Sequence, residues 1–253
     1  SIDEPPAAQP EHPYLQLFGP IELAGAAGPA PARSHRQCVE YCAWLLENPN
    51  STATRMTNEL VVAETTRRSN MSRLRSWLGL DRDGRAYLPE AYSGRISLHP
   101  EVSSDWQRMQ VLTAPGLNRL TAETLVDVLE LVRGAPLADA APGQWRWAEE
   151  LRTDMSSVAR DAGVLLARWA VERRDLDLAR WAAARALVAA PEDELLLVER
   201  IHTEHAAGNT GEVERLVRWV TSQARVLGVD LAPETVDTCQ RVLEGRTRPR
   251  AVR

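Results

Sequence analysis

Lysine is absent: all thirty basic residues of this 253-residue chain are arginine. That absence excludes a Walker A lysine, a Schiff-base lysine and the lysine of a protein kinase. Cationic contacts must use arginine, whose planar fork suits phosphates and guanine edges, although a high-GC genome gives the same usage without any function. Phenylalanine occurs once and cysteine three times. Cys38, Cys42 and Cys239 contain no C-x-x-C pair, which argues against a disulfide framework or zinc site. Cys38 and Cys42 lie four apart on one helix face and read as core packing in a reducing cytoplasm. No apolar run approaches the roughly 18 to 20 residues of a membrane span, so no membrane is expected within this fragment.

Catalytic signatures are missing too. There is no G-x-S-x-G and no glycine-rich phosphate loop. The histidines His12, His35, His99, His202 and His205 are scattered. His202, Glu204 and His205 in IHTEH lack the H-E-x-x-H order and a third ligand. Glu149-Glu150, Asp175, Asp177 and Glu192-Asp193-Glu194 sit where helices should start or end, so capping explains them. No enzyme, cofactor or metal centre is expected.

Composition is 44% hydrophobic and 5% aromatic with a net charge of −5, and the length favours two domains. The opening SIDEPPAAQPEHP is a Pro-rich acidic tail rather than a signal peptide, read as a disordered linker over 1–13 in a fragment of a longer protein.

The richest stretch runs from Glu64 to Gly94. On a helical period Met71, Leu74 and Leu78 form one inward stripe, and Arg68, Ser69, Ser72, Arg73, Arg75 and Ser76 point away from it. Residues 64–85 hold six arginines (67, 68, 73, 75, 82 and 85) against three acids, a local balance of +3. This is the order of a groove-reading helix followed by a wing.

Around it, residues 14–23 alternate as a pair of short strands or one bent strand about Gly19-Pro20. Ser34 to Asn48 reads as a helix stopped by Pro49, and Ser51 to Val61 as a second, capped by Thr52 or Thr54. The arginine helix is expected to be capped near Thr65 or Thr66 and to end at Gly79. Asp83-Gly84 marks a turn, with Arg85–Leu88 and Gly94–Leu98 as the edges of a wing around Tyr92. Beyond a connector at 114–121 only helices are expected: Thr121–Val132, a long or broken one over Trp145–Glu172, then a repeat. Asp175 and Asn209 lie 34 residues apart, and with them align Leu176 with Thr210, Ala179 with Val213, Ala183 with Val217 and Leu187 with Thr221. That is the tetratricopeptide period. Trp145, Trp147, Trp169, Trp181 and Trp219 are expected to pack between repeats.

Several segments together resemble the bacterial transcriptional activator domain (BTAD) proteins of actinobacteria, related to the antibiotic regulatory proteins. They are Leu17-Phe18-Gly19-Pro20-Ile21, Tyr41–Glu47, Ser72-Arg73-Leu74-Arg75-Ser76-Trp77-Leu78-Gly79, Tyr92–Leu98, Asp105-Trp106, Arg133–Leu137, Trp147-Ala148 and Leu227-Gly228. The resemblance implies an α+β OmpR-type winged helix over 14–112, an all-α tetratricopeptide-like activator domain over 118–245 and a basic tail over 246–253. It departs from the family at Leu60-Val61-Val62, where Leu-Trp is usual, and at Gly94-Arg95, where Gly-Tyr is usual.

The resulting expectation is a cytoplasmic transcription regulator. Arg67, Arg68, Ser69, Ser72, Arg73 and Ser76 belong to the reading helix, with the residues at its start approaching base edges. Arg75, Arg82 and Arg85 would hold phosphates, and Arg95 in the wing would enter the minor groove. The partners are duplex DNA, a second copy on repeated half-sites, and RNA polymerase or another protein on the helical repeats. The alternative is a protein-interaction adaptor, the cytoplasmic part of a membrane-anchored protein. It is favoured by the eleven arginines and thirteen acids of residues 1–112.

Overall fold

The computed structural model describes residues 10–141 and 143–244. The linker over 1–9 and the basic tail lie outside them. The chain divides into two compact units, Ser1–Val111 with Pro136–Thr153, and Leu112–Ala135 with Asp154–Arg253. Sequence reading placed a single cut near residue 115, whereas Pro136–Thr153 returns to the first unit. Backbone bonds tie it there: Leu137 N–H donates to the Leu17 carbonyl (2.8 Å) and Ala138 N–H to that of Gly19 (3.1 Å).

In the first unit, β1 (Tyr14–Gln16) pairs antiparallel with β2 (Glu22–Ala24), Leu15 opposite Leu23. β1 also pairs in parallel with β5 (Ser103–Ser104), giving the order β2-β1-β5. Residues 11–13 were expected to be disordered, but polar contacts hold them. Glu11 pairs with Arg82 (3.1 Å), His12 reaches the Tyr87 hydroxyl (3.0 Å), and the Pro13 carbonyl accepts from Ser103 N–H (3.1 Å).

Helix α1 (His35–Glu47) buries Cys38, Cys42, Leu45 and Leu46 as its periodicity requires, together with Tyr41 and Trp44. β3 (Ser51–Thr52) leads into α2 (Ala53–Leu60), whose N-cap Thr52 accepts from Arg55 N–H (3.2 Å). α3 (Glu64–Leu78) follows, and then β4 (Arg95–Ile96), which pairs antiparallel with β3. α4 (Asp105–Thr113) begins on Asp105, whose buried carboxylate accepts from the N–H groups of Leu17 and Phe18 (2.9 Å each) and Trp106 (2.8 Å). One side chain therefore satisfies the end of β1 and the orphan donors at the start of α4.

Among the described residues of the second unit the longer elements are all α-helices: α5 (Ala122–Glu130), most of α6 (Glu149–Glu172), α7 (Leu176–Ala189), α8 (Glu194–Ala206), α9 (Thr210–Leu227) and α10 (Pro233–Glu244). Asp175 and Asn209, the 34-residue pair, are the N-cap residues of α7 and α9. Asp193 caps α8 through Leu195 and Leu196 N–H. Ala179, Ala183, Val213 and Val217 are all buried. Gly163 lets α6 approach α7 closely, since a Cβ there would meet Ala186 Cβ at 2.3 Å. Of the five tryptophans assigned to the repeats, Trp145 and Trp147 belong instead to the first unit, stacked on each other.

The cysteines are buried and unpaired, and burial raises the Cys38 thiol to about 11 and that of Cys42 to about 12. Glu47 sits at the C-terminal end of α1, where the helix dipole also opposes its charge. Burial moves its carboxyl from an ordinary 4.5 to about 7.

Two stability predictions follow from these carboxylates. Asp105→Ala strands buried N–H groups and should cost the first unit roughly 3 kcal/mol in urea unfolding. For Glu47 the folded state holds its proton more tightly than the unfolded one. Stability is thus undiminished below pH 4.5, declines as pH rises to about 7 and stays lowered above it. Glu47→Gln should raise stability at pH 8 by on the order of 2 kcal/mol and change little at pH 4.5. Equal effects at both pH values would contradict this.

Candidate nucleic-acid interface

The 15 residues of α3 make a rod about 22 Å long. Its start differs from expectation: the N-cap is Ala63, without a side-chain bond, and Glu64 in the first turn supplies the favourable charge, so Thr65 and Thr66 lie inside the helix. At the other end the orphan carbonyls of Trp77 and Leu78 accept from Gly28 N–H (2.9 Å) and Ala27 N–H (3.1 Å). A Cβ on Gly28 would lie 2.0 Å from the Ser76 carbonyl oxygen, so the strand-to-helix loop touches α3 where only glycine fits. α1 packs against α3 as well, adding a ring contact of 4.6 Å between His35 and Trp77.

Helical phase sorts the predicted residues. Met71, Leu74, Trp77 and Leu78 are buried, as are Asn70 and Arg67. Arg67 was expected to contact DNA. It lies four residues before Met71, on the core stripe, is only 8% exposed, and has a buried Nε without a partner among the described residues. Arg68, Ser69, Ser72 and Ser76 are exposed, and Arg73 and Arg75 are half-buried. Arg73 donates to Asn70 Oδ1 (2.7 Å), and Arg75 to the Leu88 carbonyl (2.9 Å) and Glu90 (3.2 Å).

The wing is shorter than predicted. Tyr92 and Arg95 bridge around Ser93-Gly94, whose positive φ values of 52° and 75° make a tight two-residue turn. Residues 85–88 do not form its second edge. Ala86 bridges Leu80, Tyr87 N–H goes to the Gly79 carbonyl, Tyr87 and Leu88 are buried, and Pro89 brings no donor. The Arg95–Ile96 strand uses β3 instead. Tyr92 is 86% exposed at the tip.

Carboxylates neutralise much of the local charge. Arg68 pairs with Glu64, Arg82 with Glu11, and Arg85 with Asp81 (2.7 Å) and Asp83 (3.0 Å). Arg95 donates to the Asn50 carbonyl (3.3 Å). The side-chain bond to Asp81, joined by its charge, raises the Arg85 guanidinium above its ordinary value. The pairs of Arg68 with Glu64 and Arg82 with Glu11 are exposed on both sides and worth about 0–1 kcal/mol, so a phosphate can displace the carboxylate at little cost, whereas the Asp81 side chain that holds Arg85 is only 3% exposed.

Asp81, His99 and Glu101 have one ligand-type atom each within 4.8 Å of the others. His99 faces Asp81 with Nε2 (3.8 Å) and Glu101 with Nδ1 (3.7 Å), and the Asp81 carboxylate is already held by Arg85 (2.7 Å). In IHTEH, Glu204 is taken by Arg180 (2.7 Å) and Asn209 (3.1 Å), which serves packing between helices.

No protein-family model matches the chain, and no curated protein matches it. Among solved structures the chain is similar to Mycobacterium tuberculosis EmbR in complex with a low affinity phosphopeptide. The TM-score is 0.67 at 19% identity, covering 94% of this chain and 66% of that one. The chain thus spans just under two thirds of that neighbour, and the likeness is one of fold.

Because Gly28 abuts the Ser76 carbonyl, Gly28→Ala should shift the C-terminal turn of α3. The expected outcome is a loss of roughly 1–3 kcal/mol with amide chemical-shift changes centred on Ser76–Gly79. A silent substitution would show that the loop does not hold the helix.

Proposed function

We propose that the chain is a transcription regulator that reads duplex DNA with the exposed face of α3, while the helical unit mediates self-association or contact with RNA polymerase or another protein. The observation that carries this reading is the single face of Arg68, Ser69, Ser72 and Ser76 on α3. Small hydroxyl side chains let the backbone approach a groove about 12 Å wide, and an arginine fork can bond a guanine edge bidentately. Arg68, Ser69, Ser72 and Arg73 take base edges; Arg75, Arg82 and Arg85 exchange carboxylate partners for phosphates; Arg95 enters the minor groove. Arg67 has no such role, because it faces the core.

The fold shared with EmbR and the resemblance to BTAD proteins support a regulator acting in the cytoplasm. EmbR's capture with a phosphopeptide supports a protein partner beside the DNA. Among the described residues no helix is long and apolar enough to cross a membrane. A second reading, the protein-interaction adaptor, is favoured by the acids that already hold these arginines: Glu11, Glu64, Asp83 and Glu90.

Fluorescence anisotropy with random-sequence duplexes at about 50 and about 200 mM salt separates the two. The regulator reading predicts binding that weakens steeply with salt and falls roughly tenfold or more in Arg68→Ala/Arg82→Ala/Arg95→Ala, three exposed positions whose loss leaves the fold intact. Folded protein that binds no duplex at the lower salt would establish the adaptor.

A further inference from the structure

Within the first unit, α1, the end of α2 and residues 139–140 and 143–147 line a cavity of about 670 Å³. That volume is in the range of sites that take small organic ligands. Two tryptophans form one wall: Trp145 and Trp147 stack with ring centroids 5.8 Å apart and planes 20° apart. Trp145 holds φ 53°, a left-handed backbone that a bulky aromatic residue rarely adopts, so local strain is spent placing its ring there.

The polar groups around this wall are unevenly satisfied. Glu40 accepts from the Trp147 indole N–H (3.1 Å), Glu59 from the Trp44 indole (2.9 Å) and Arg55 (2.7 Å), and Asp139 from Ile21 N–H (2.9 Å). Each carboxylate of the cavity thus holds at least one N–H donor of its own. Arg36 on α1 and Arg146, between the two tryptophans, also line it, and neither guanidinium has a hydrogen bond or ion pair among the described residues. What the cavity leaves without a partner is a pair of guanidinium side chains. An aromatic wall beside two open guanidinium forks suits a flat ring carrying a carboxylate, which stacks on indole and bonds arginine in bidentate fashion.

We propose that this cavity binds a small planar aromatic carboxylate, with its ring against Trp145 and Trp147 and its carboxylate held by Arg36 and Arg146. The site stands apart from the exposed face of α3, and its occupancy can be measured without DNA, so failure here and failure of the DNA reading are distinguishable.

The test is isothermal titration calorimetry of the full chain with 1-naphthoate, its neutral analogue 1-naphthamide and its cationic analogue 1-naphthylmethylamine. The expected result is saturable one-to-one binding of naphthoate, about tenfold or more tighter than naphthamide, with no measurable binding of the amine. Arg36→Ala/Arg146→Ala should weaken naphthoate by about tenfold or more and leave naphthamide unchanged. Both arginines are exposed, so the variant retains the core. Tighter binding of the amine, equal binding of naphthoate and naphthamide, an unaffected double variant, or no heat with any of the three would each overturn the proposal.

Discussion

Burial of one stripe of α3 against α1 sets what the first unit can present. Met71, Leu74, Trp77 and Leu78 are each 5% exposed or less, and a helix has one rotation that satisfies all four. Fixing that rotation turns Arg68, Ser69, Ser72 and Ser76 outward and Arg67 inward. The loop backbone at Ala27 and Gly28 stops the helix from sliding along its axis, and Asp105 ties the start of α4 to the end of β1. Rotation and translation of the reading helix are therefore settled by core packing, and its outward face is free to vary.

The outward face is restrained in charge. Glu64 pairs with Arg68 on it, and beyond the helix Glu11 pairs with Arg82 and Asp83 with Arg85, so the +3 counted along residues 64–85 becomes a set of loose exposed pairs. Such pairs hold side chains extended and solvated without committing them, and a phosphate competes on favourable terms. The second unit uses the same residue types differently. Arg168 pairs with Glu199 and Arg180 with Glu204, and both carboxylates are nearly buried between helices, where they fix register rather than await a partner.

Much of this was legible in the sequence because it depends on period. The stripe of α3, the ends of α1 and α2 and the 34-residue offset between the caps of α7 and α9 all follow from helical spacing and capping chemistry. The inward position of Arg67 is legible too, since it lies four residues before Met71 on the same stripe, although its charge points the other way. What escaped was long-range. That Pro136–Thr153 returns to the first unit rests on backbone bonds to Leu17 and Gly19 more than a hundred residues away in sequence, and no local pattern marks them. The wing is shorter than its sequence suggests because alternation over 85–88 looks the same whether the residues pair as a strand or plug the core, as Tyr87 and Leu88 do. Gly28 carried no signal beyond being a glycine in a loop.

Hydrogen–deuterium exchange on the full chain, with and without saturating random duplex at low salt, tests most directly whether the face set by that burial is the one that reads DNA. The account predicts new protection confined to α3 from Thr65 to Ser76, to the Asp81–Arg85 turn and to the Tyr92–Arg95 turn, with α7 to α10 unchanged. Protection that instead falls on the helical unit, or binding that leaves α3 exchanging as before, would contradict it.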